Sequence, residues 1–450
     1  MPASSSTNGP NPNLPPRRQA FRAAILHVLD DPSRLPAGEA CGYWPDGLLV
    51  VEDGHVTACG GWTELARTLP AGTPVEHLPG RLITPGFVDA HVHYPQMDVM
   101  AAWGAQLLDW LQTHTFPAEM AFADRAHAEA VAAVFLEQML AHGTTSALVF
   151  CTVHRHSVDA LFEAALSRNV RLVAGKVLMD CGAPAELLDT VESGRADTEA
   201  LIRNWRGRGR LGYAVTPRFA VTSSDAQLAM AGEVAAAHPD VLIHTHLSEN
   251  PAEIAEVTRR FPQDRDYLAV YARHGLVGRR SVFAHCVHSD EDAMRRLAAA
   301  GASIAFCPSS NLLLGSGLFS LRRACGCGVN TALATDVGAG GGFSLLQMMR
   351  EAYKVGQLQG DRLEPLHAFY LATLAGARAL HIGDRVGNFA PGKEADFLVL
   401  DLAAAPLLAR RTAQARSLAE LLFILTILAD QRVVERTYLM GRLAHARDRV

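Results

Sequence analysis

From about residue 82 onward, the chain alternates short segments rich in β-branched residues with longer segments rich in alanine and leucine. This alternation is typical of strands in a parallel sheet that are joined by covering helices. Helices are predicted at 125–142 and 159–168, among other places. Eight strands are predicted, at residues 82–92, 145–150, 170–179, 213–216, 241–246, 281–285, 303–306 and 331–334. Eight strand–helix units predict an α/β fold, a (β/α)8 TIM-type barrel whose chemistry lies at the carboxyl ends of its strands.

The segments on either side of the barrel have a different pattern. Residues 47–56 and 392–401 are both predicted strands beside glycine-containing turns. We therefore expect residues 20–81 and 385–450 to meet in a small flanking β-domain, next to a barrel at 82–384.

The composition favours a globular enzyme. Of the 450 residues 49% are hydrophobic, and the net charge of -5 gives no general reason to expect nucleic acid or an anionic membrane as a partner. No apolar run approaches the length that spans a bilayer. The arginine-rich segment 203–210 permits a nucleic-acid patch, but a solvated loop is the preferred interpretation.

The cysteines and the amino terminus indicate a cytoplasmic location. Eight cysteines in so long a chain do not make a disulfide framework, so reduced thiols are expected. The first sixteen residues are rich in proline, serine and asparagine, and they lack the apolar core of a signal peptide. Residues 1–19 are predicted to form a disordered tail.

The most informative local motif is at the end of the first predicted barrel strand. There, an apolar segment ends in His91 and His93, with one residue between them. Alternate side chains of a strand share a face, so the two imidazoles can hold a divalent metal together. An isolated pair of this kind is more often two ordinary histidines near a turn. Three further clusters at predicted strand ends favour the metal site here.

A second such pair, His244 and His246, ends the predicted strand at 241–246. His246 is nearer the carboxyl end and is the favoured ligand, although the sequence leaves the reverse assignment open. Glu249 follows three residues later, where a carboxylate can shuttle protons for a metal-activated water. The alternative is a surface glutamate at the start of a helix.

The third and fourth clusters are His285 and Asp336, each at the end of an apolar strand. A buried carboxylate without a partner is costly, and a metal or a protonated partner removes that cost for Asp336. Each signal is weak alone, but four in this order, each at a predicted barrel strand end, are strong.

The four clusters resemble the amidohydrolase superfamily, and within it the chain is similar to the guanine deaminases. The motifs that carry this resemblance are at residues 93–96, 107–111, 115–119, 217–220, 246–250, 307–311, 315–317 and 388–396. They extend over most of the chain. Three departures from the family pattern remove no ligand: His244 where glutamine is common, Cys181-Gly182 in place of a more polar pair, and Val221 in place of proline.

The resemblance implies one Zn²⁺ per chain, held by His91, His93, His246 and Asp336. His285 and Asp336 would orient the attacking water, and Glu249 would be the proton shuttle. The implied reaction is the hydrolytic deamination of guanine to xanthine and ammonia, a step of purine catabolism, in a homodimeric enzyme. Family members with two metals use a carboxylated lysine, and Lys176 is a candidate for it, although a different polar role is the preferred interpretation.

Guanine itself would contact His246 and Glu249, and its edges would be recognised by Gln96 and Arg218. An amide both donates and accepts hydrogen bonds, whereas a guanidinium only donates, so Arg218 suits the carbonyl oxygen of guanine. Phe219 is expected to pack on the ring face.

Trp103 is a second candidate for the ring face, or else an aromatic residue of the core or rim.

The nearest alternative activity is the same chemistry on a pterin, a triazine or cytosine. A different alternative is a catalytically inactive homologue used for binding. The H-x-E and P-C-x-x-C signature of the deaminases that act on nucleic-acid bases is absent from the sequence.

Overall fold

The computed structural model describes residues 17–104 and 106–448. Its strands, in chain order, are β1 (Arg18–Val28), β2 (Cys41–Glu52), β3 (His55–Gly61), β4 (Val75–Pro85), β5 (Phe87–His93), β6 (Thr144–Phe150), β7 (Arg171–Gly175), β8 (Val177–Leu178), β9 (Leu211–Pro217), β10 (Leu242–Leu247), β11 (Ser281–His285), β12 (Ser303–Phe306), β13 (Asn330–Leu333), β14 (Phe397–Asp401), β15 (Val434–Leu439) and β16 (Arg442–Ala446).

Helices follow most of the barrel strands. In chain order they are α1 (Ala37–Ala40), α2 (Trp62–Leu65), α3 (Leu107–Trp110), α4 (Phe116–Met120), α5 (Arg125–Ala141), α6 (Arg155–Ser167), α7 (Val191–Trp205), α8 (Asp225–Ala237), α9 (Pro251–Arg260), α10 (Tyr267–Arg273), α11 (Glu291–Ala300), α12 (Pro308–Leu313), α13 (Leu321–Cys327), α14 (Leu345–Leu358), α15 (Pro365–Leu371), α16 (Leu374–Ala379), α17 (Pro406–Thr412) and α18 (Leu418–Leu428).

The predicted barrel is confirmed. The parallel strands β5, β6, β7, β9, β10, β11, β12 and β13 are neighbours in that order, and the short β8 pairs with β9. Two backbone hydrogen bonds then join the last strand to the first, from Asp336 N to His91 O at 3.0 Å and from His93 N to Val337 O at 2.8 Å. Both bonds involve residues of the predicted metal site, so closure of the barrel brings the first and last clusters together.

The segments at the two ends of the chain form a separate seven-stranded sheet, as predicted. Its strand order is β16-β15-β14-β4-β1-β2-β3, and β14 from the carboxyl-terminal segment runs antiparallel to β4. Strand β1 begins at Arg18, before the predicted start of this domain at residue 20. Residues 1–16 of the predicted tail are outside the described residues. The carboxyl-terminal segment is not all β, because α17 and α18 add Leu408, Leu422 and Leu425 to the main hydrophobic core.

The predicted strand at 82–92 is two strands in two different sheets. Strand β4 ends at Pro85 in the flanking sheet, and β5 begins at Phe87 in the barrel. Between them, a Cβ atom on Gly86 would be only 2.1 Å from Thr145 Oγ1. Glycine is therefore required where the chain passes from one sheet to the other, and the continuous apolar pattern hides this change.

A buried ionic cluster ties the flanking sheet to the barrel. Arg171 and Arg210 both pair with Glu394, and Arg210 also pairs with Asp396. The arginine-rich segment is thus not one solvated loop, because its last residue lies buried in this cluster. Among the described residues, no helix has the length and apolarity needed to cross a bilayer.

Candidate active site

Five predicted site residues meet at the carboxyl ends of the barrel strands. His91 and His93 lie at the end of β5, His246 near the end of β10 and His285 at the end of β11, while Asp336 follows β13. All five side chains are buried. The structure therefore brings together residues that are up to 245 positions apart, counting from 91 to 336.

Three imidazole nitrogens and one carboxylate oxygen converge on a single point. Nε2 of His93 lies 3.2 Å from Nε2 of His91 and 3.3 Å from Nε2 of His246. Oδ1 of Asp336 lies 3.1 Å from His91 Nε2 and 3.5 Å from His93 Nε2. Imidazole nitrogens and carboxylate oxygens are donors typical of a zinc site.

In His246 and His91, the outer ring nitrogen Nδ1 makes a hydrogen bond, and the lone pair of Nε2 is directed at the convergence point. His246 Nδ1 donates to the backbone carbonyl of Arg218 at 2.8 Å, so its Nε2 carries no proton in the neutral ring. His91 Nδ1 lies 2.7 Å from Nε2 of His244. Burial lowers the pKa of His91, His93 and His246 well below the ordinary value, so all three rings are neutral and able to bind a metal.

This geometry separates the roles of the two histidines on β10. His246 joins the converging cluster, whereas His244 contacts the outer nitrogen of His91 and orients that ring. The sequence left the two assignments open because alternation places both side chains on the same face.

Glu249 and His285 lie beside the cluster. His285 Nε2 is 3.4 Å from Glu249 Oε2 and 3.8 Å from Asp336 Oδ2, while its Nδ1 donates to Asn311 Oδ1 at 2.9 Å. Burial raises the pKa of Glu249 to about 7, and Ser316 donates to its Oε1 at 3.1 Å. Burial alone lowers the pKa of His285, but the carboxylates of Glu249 and Asp336 outweigh burial and raise that pKa. The pair has the properties of a proton-transfer site near neutral pH.

Strained backbone is concentrated at these strand ends. Ser248, His285 and Asp336 have φ angles of 49°, 70° and 49°, in the left-handed region that favours glycine. Such conformations are costly and persist where surrounding contacts hold them, often at functional sites.

Two buried carboxylates support the site, and no sequence motif pointed to either of them. Asp89 accepts hydrogen bonds from the Thr335 hydroxyl and backbone amide, and from the amide of His91 at 3.2 Å. Glu253 accepts from the backbone amide of Glu249 at 2.8 Å. Asp89 thereby links β5 to β13, and Glu253 fixes the loop that carries Glu249.

Cys307 is a further buried neighbour of the cluster. Its ligand atom and those of His91, His285 and Asp336 all lie within 4.8 Å of one another. Burial raises the pKa of this thiol well above the ordinary value, and Sγ lies 3.4 Å from the Ala305 carbonyl, to which it donates. Cys307 is thus a neutral thiol that lines the site.

A small cavity of about 30 Å³ opens over the cluster. Its walls are mostly apolar, and its polar groups converge at the end formed by His93, His246 and Asp336, which is typical of a small-molecule site. The residues that line it are His93, Gln96, Leu107, Trp110, Leu111, Arg218, Phe219, His246, Glu249, His285, Leu314, Asp336 and Ala339.

The cavity includes the predicted substrate contacts Gln96, Arg218 and Phe219. Trp103 is not among them, because 91% of its surface is exposed; the tryptophan in the wall is Trp110. Lys176 is also remote from the cluster, since its buried ammonium pairs with Asp189 and also donates to the Val177 carbonyl at 3.4 Å.

Comparison with known proteins agrees with this arrangement. Residues 82–444 match the model of the amidohydrolase family. The chain is 49% identical to a guanine deaminase of Escherichia coli over 433 residues, which cover 96% of this chain and 98% of that protein. The solved structure of E. coli guanine deaminase matches with a TM-score of 0.93 at 48% identity, over 96% of this chain and 100% of that one. A guanine deaminase of C. acetobutylicum with guanine bound in its active site matches with a TM-score of 0.85 at 26% identity, over 95% and 99% of the two chains.

Proposed function

The chain belongs to the amidohydrolase family, and from this premise we propose that it is a metal-dependent guanine deaminase. It hydrolyses guanine to xanthine and ammonia. The observation that carries this function is the position of Glu249, a buried carboxylate beside three converging imidazoles and Asp336, in a cavity that Gln96, Arg218 and Phe219 also line.

The metal site consists of His91, His93, His246 and Asp336. Zinc is proposed because neutral imidazoles and a carboxylate are its usual ligands, and the single convergence point corresponds to one ion per chain. When bound, the metal lowers the pKa of water from ~15.7 toward ~7 and so provides a strong nucleophile at neutral pH.

Glu249 carries the protons of the reaction. Its carboxylate accepts a proton from the attacking water and delivers it to a ring nitrogen beside C2 of guanine. The C2–O bond forms, and the carboxylate then takes the remaining proton of the C2 hydroxyl and passes it to the amino group, so that the C2–N bond breaks, ammonia leaves and the C2 carbonyl forms. A pKa of about 7 suits both directions of transfer. His285, next to Glu249 and Asp336, stabilises negative charge that develops on the attacking oxygen.

Arg218 and Gln96 are proposed to recognise the purine. Arg218 supplies only donors and therefore matches the carbonyl oxygen at C6 of guanine rather than the amino group of adenine. The Phe219 ring, at 6.1 Å between centroids from the His246 ring, closes the cavity against the purine face. This assignment gives a specific expectation for Arg218.

Arg218→Lys is expected to weaken the preference for guanine. Lysine keeps the positive charge that neutralises buried Glu119 but replaces the planar fork of donors with one ammonium group. Loss of the bond to the guanine carbonyl should cost about 1–3 kcal/mol in kcat/KM. For 2-aminopurine, which lacks that oxygen, the loss should be small. Steady-state rates on the two compounds measure the difference, and an equal loss on both would show that Arg218 contacts a feature they share.

The function is tested by initial rates of ammonia release from a panel of amines. Guanine should react far faster than a pterin, an amino-triazine or cytosine. A higher kcat/KM for any of these would assign the chain to a different activity of the same family. A folded, metal-loaded protein that is inactive on the whole panel would be a binding protein instead.

Two further expectations stay proposals. The cytoplasmic location is supported by the free thiols of Cys59, Cys151, Cys181, Cys286 and Cys307, which are unsuited to an oxidising compartment. The homodimer is supported only by the resemblance to the family.

A further inference from the structure

Glu119 is a buried charge that the mechanism above leaves without a role. Its side chain is fully buried, and it lies at the end of the short α4, in the motif 115–119. Its Oε1 accepts a hydrogen bond from Gln96 Nε2 at 3.1 Å and another from Arg218 Nη1 at 2.8 Å. One carboxylate oxygen thus touches both side chains that are proposed to recognise the purine, and it places them side by side.

The contact with Glu119 fixes which way the Gln96 amide points. A carboxylate only accepts hydrogen bonds, so Gln96 must turn its amino group toward Glu119. On the other side the backbone amide of Gly338, which only donates, lies 3.5 Å from Gln96 Oε1. Both neighbours favour the same orientation, and the Gln96 carbonyl keeps a lone pair for an N–H group of a ligand in the cavity.

Glu119 also fixes the guanidinium of Arg218. Both of its oxygens accept from Nη1, at 2.8 Å and 3.0 Å, and the guanidinium carbon lies 5.8 Å from the ring centre of Phe116 on the same helix. Within the described part of the chain, Nε and Nη2 make no hydrogen bond to protein. They are left to donate to a ligand in the cavity that Arg218 lines.

We propose that Glu119 is a positioning residue that sets substrate specificity by holding a donor, Arg218, next to an acceptor, the Gln96 carbonyl. This pair matches the adjacent C=O and N–H groups at the C6–N1 edge of guanine. It mismatches the corresponding edge of adenine, where the amino group donates and N1 accepts. The inference rests on the proposed function and adds the residue that enforces it.

Glu119→Gln tests the proposal because the substituted amide has the same shape but can both donate and accept. It lets the Gln96 amide turn over and present its amino group to the ligand. The probes are hypoxanthine and adenine, which carry opposite edges and lack the 2-amino group. Titration calorimetry on the zinc-loaded protein gives both dissociation constants without turnover. We expect hypoxanthine binding to weaken about tenfold or more and adenine binding to change little. The dissociation constant for adenine divided by that for hypoxanthine should therefore fall about tenfold or more.

Two further variants separate positioning from structural support. Glu119→Asp keeps the charge that Arg218 needs, but its shorter side chain cannot reach both partners. The ratio of the adenine to the hypoxanthine dissociation constant should therefore fall in this variant as well. This second variant keeps the proposal testable if Glu119→Gln does not fold. Glu253→Gln is the matched control, because Glu253 is an equally buried glutamate that contacts neither Gln96 nor Arg218. Its substitution should change both dissociation constants by the same factor.

An unchanged ratio of the two dissociation constants in Glu119→Gln and Glu119→Asp overturns the proposal, and so does an equal weakening of both ligands. Deamination of guanine by the unsubstituted enzyme is measured in the same preparations. If that reaction is present while the ratio is insensitive to Glu119, the specificity role fails and the proposed function stands. If that reaction is missing, the proposed function fails on its own evidence.

Discussion

Replacing Glu249 with glutamine is expected to lower the turnover of guanine by ~10² or more, while metal and substrate binding remain. Glutamine has nearly the same shape but cannot take up or release the proton that the reaction needs. The carboxylate is buried, accepts a hydrogen bond from Ser316 on one oxygen and lies 3.4 Å from His285 on the other. Single-turnover rates and zinc content measured on the same sample separate chemistry from binding.

Glu256→Gln is the control for this variant. Glu256 is on α9, close to Glu249 in sequence, but it is partly exposed and pairs with Arg259. Its substitution should leave turnover unchanged. Near-normal turnover in Glu249→Gln would assign the proton transfers to a different residue.

His91→Ala and Asp336→Ala are expected to reduce the bound metal from about one ion per chain to nearly none, and to abolish activity with it. Each substitution removes one of the four proposed ligands, and Asp336→Ala also removes the one negative charge among them. Elemental analysis of the dialysed proteins measures the metal, and circular dichroism checks that the fold remains.

His55→Ala is a suitable control, since His55 is an exposed histidine of the flanking sheet, remote from the cavity. It should keep its metal and its activity. Full metal content and full turnover in either ligand variant would rule out the assigned metal site.

The sequence predicted the barrel and the convergence of His91, His93, His246 and Asp336 because both depend on short-range patterns. Alternation along β5 and β10 places the paired histidines, and parallel strands bring their carboxyl ends to one side of the barrel. Continuous apolarity could not reveal the change of sheet at Gly86, because that change depends on a close contact with Thr145, far along the chain.

The supporting residues of the site could not be predicted in this way. Glu119 acquires its role from Gln96 and Arg218, which are 23 and 99 positions away, and only the folded chain brings the three together. Nor could the aromatic wall be assigned, since Trp103 and Trp110 are close in sequence and the sequence does not show which of the two side chains is buried. Glu119 belongs to the motif 115–119, which carries part of the family resemblance. The motif does not show which side chains Glu119 contacts.

The release of ammonia from guanine before and after removal of the metal tests the central claim most directly. The purified protein should convert guanine to equal amounts of xanthine and ammonia, lose this activity when a chelator removes the metal, and regain it when zinc is added back. Deamination at the full rate by protein shown to be free of metal would contradict the account, as would a folded, zinc-loaded protein that releases no ammonia from guanine.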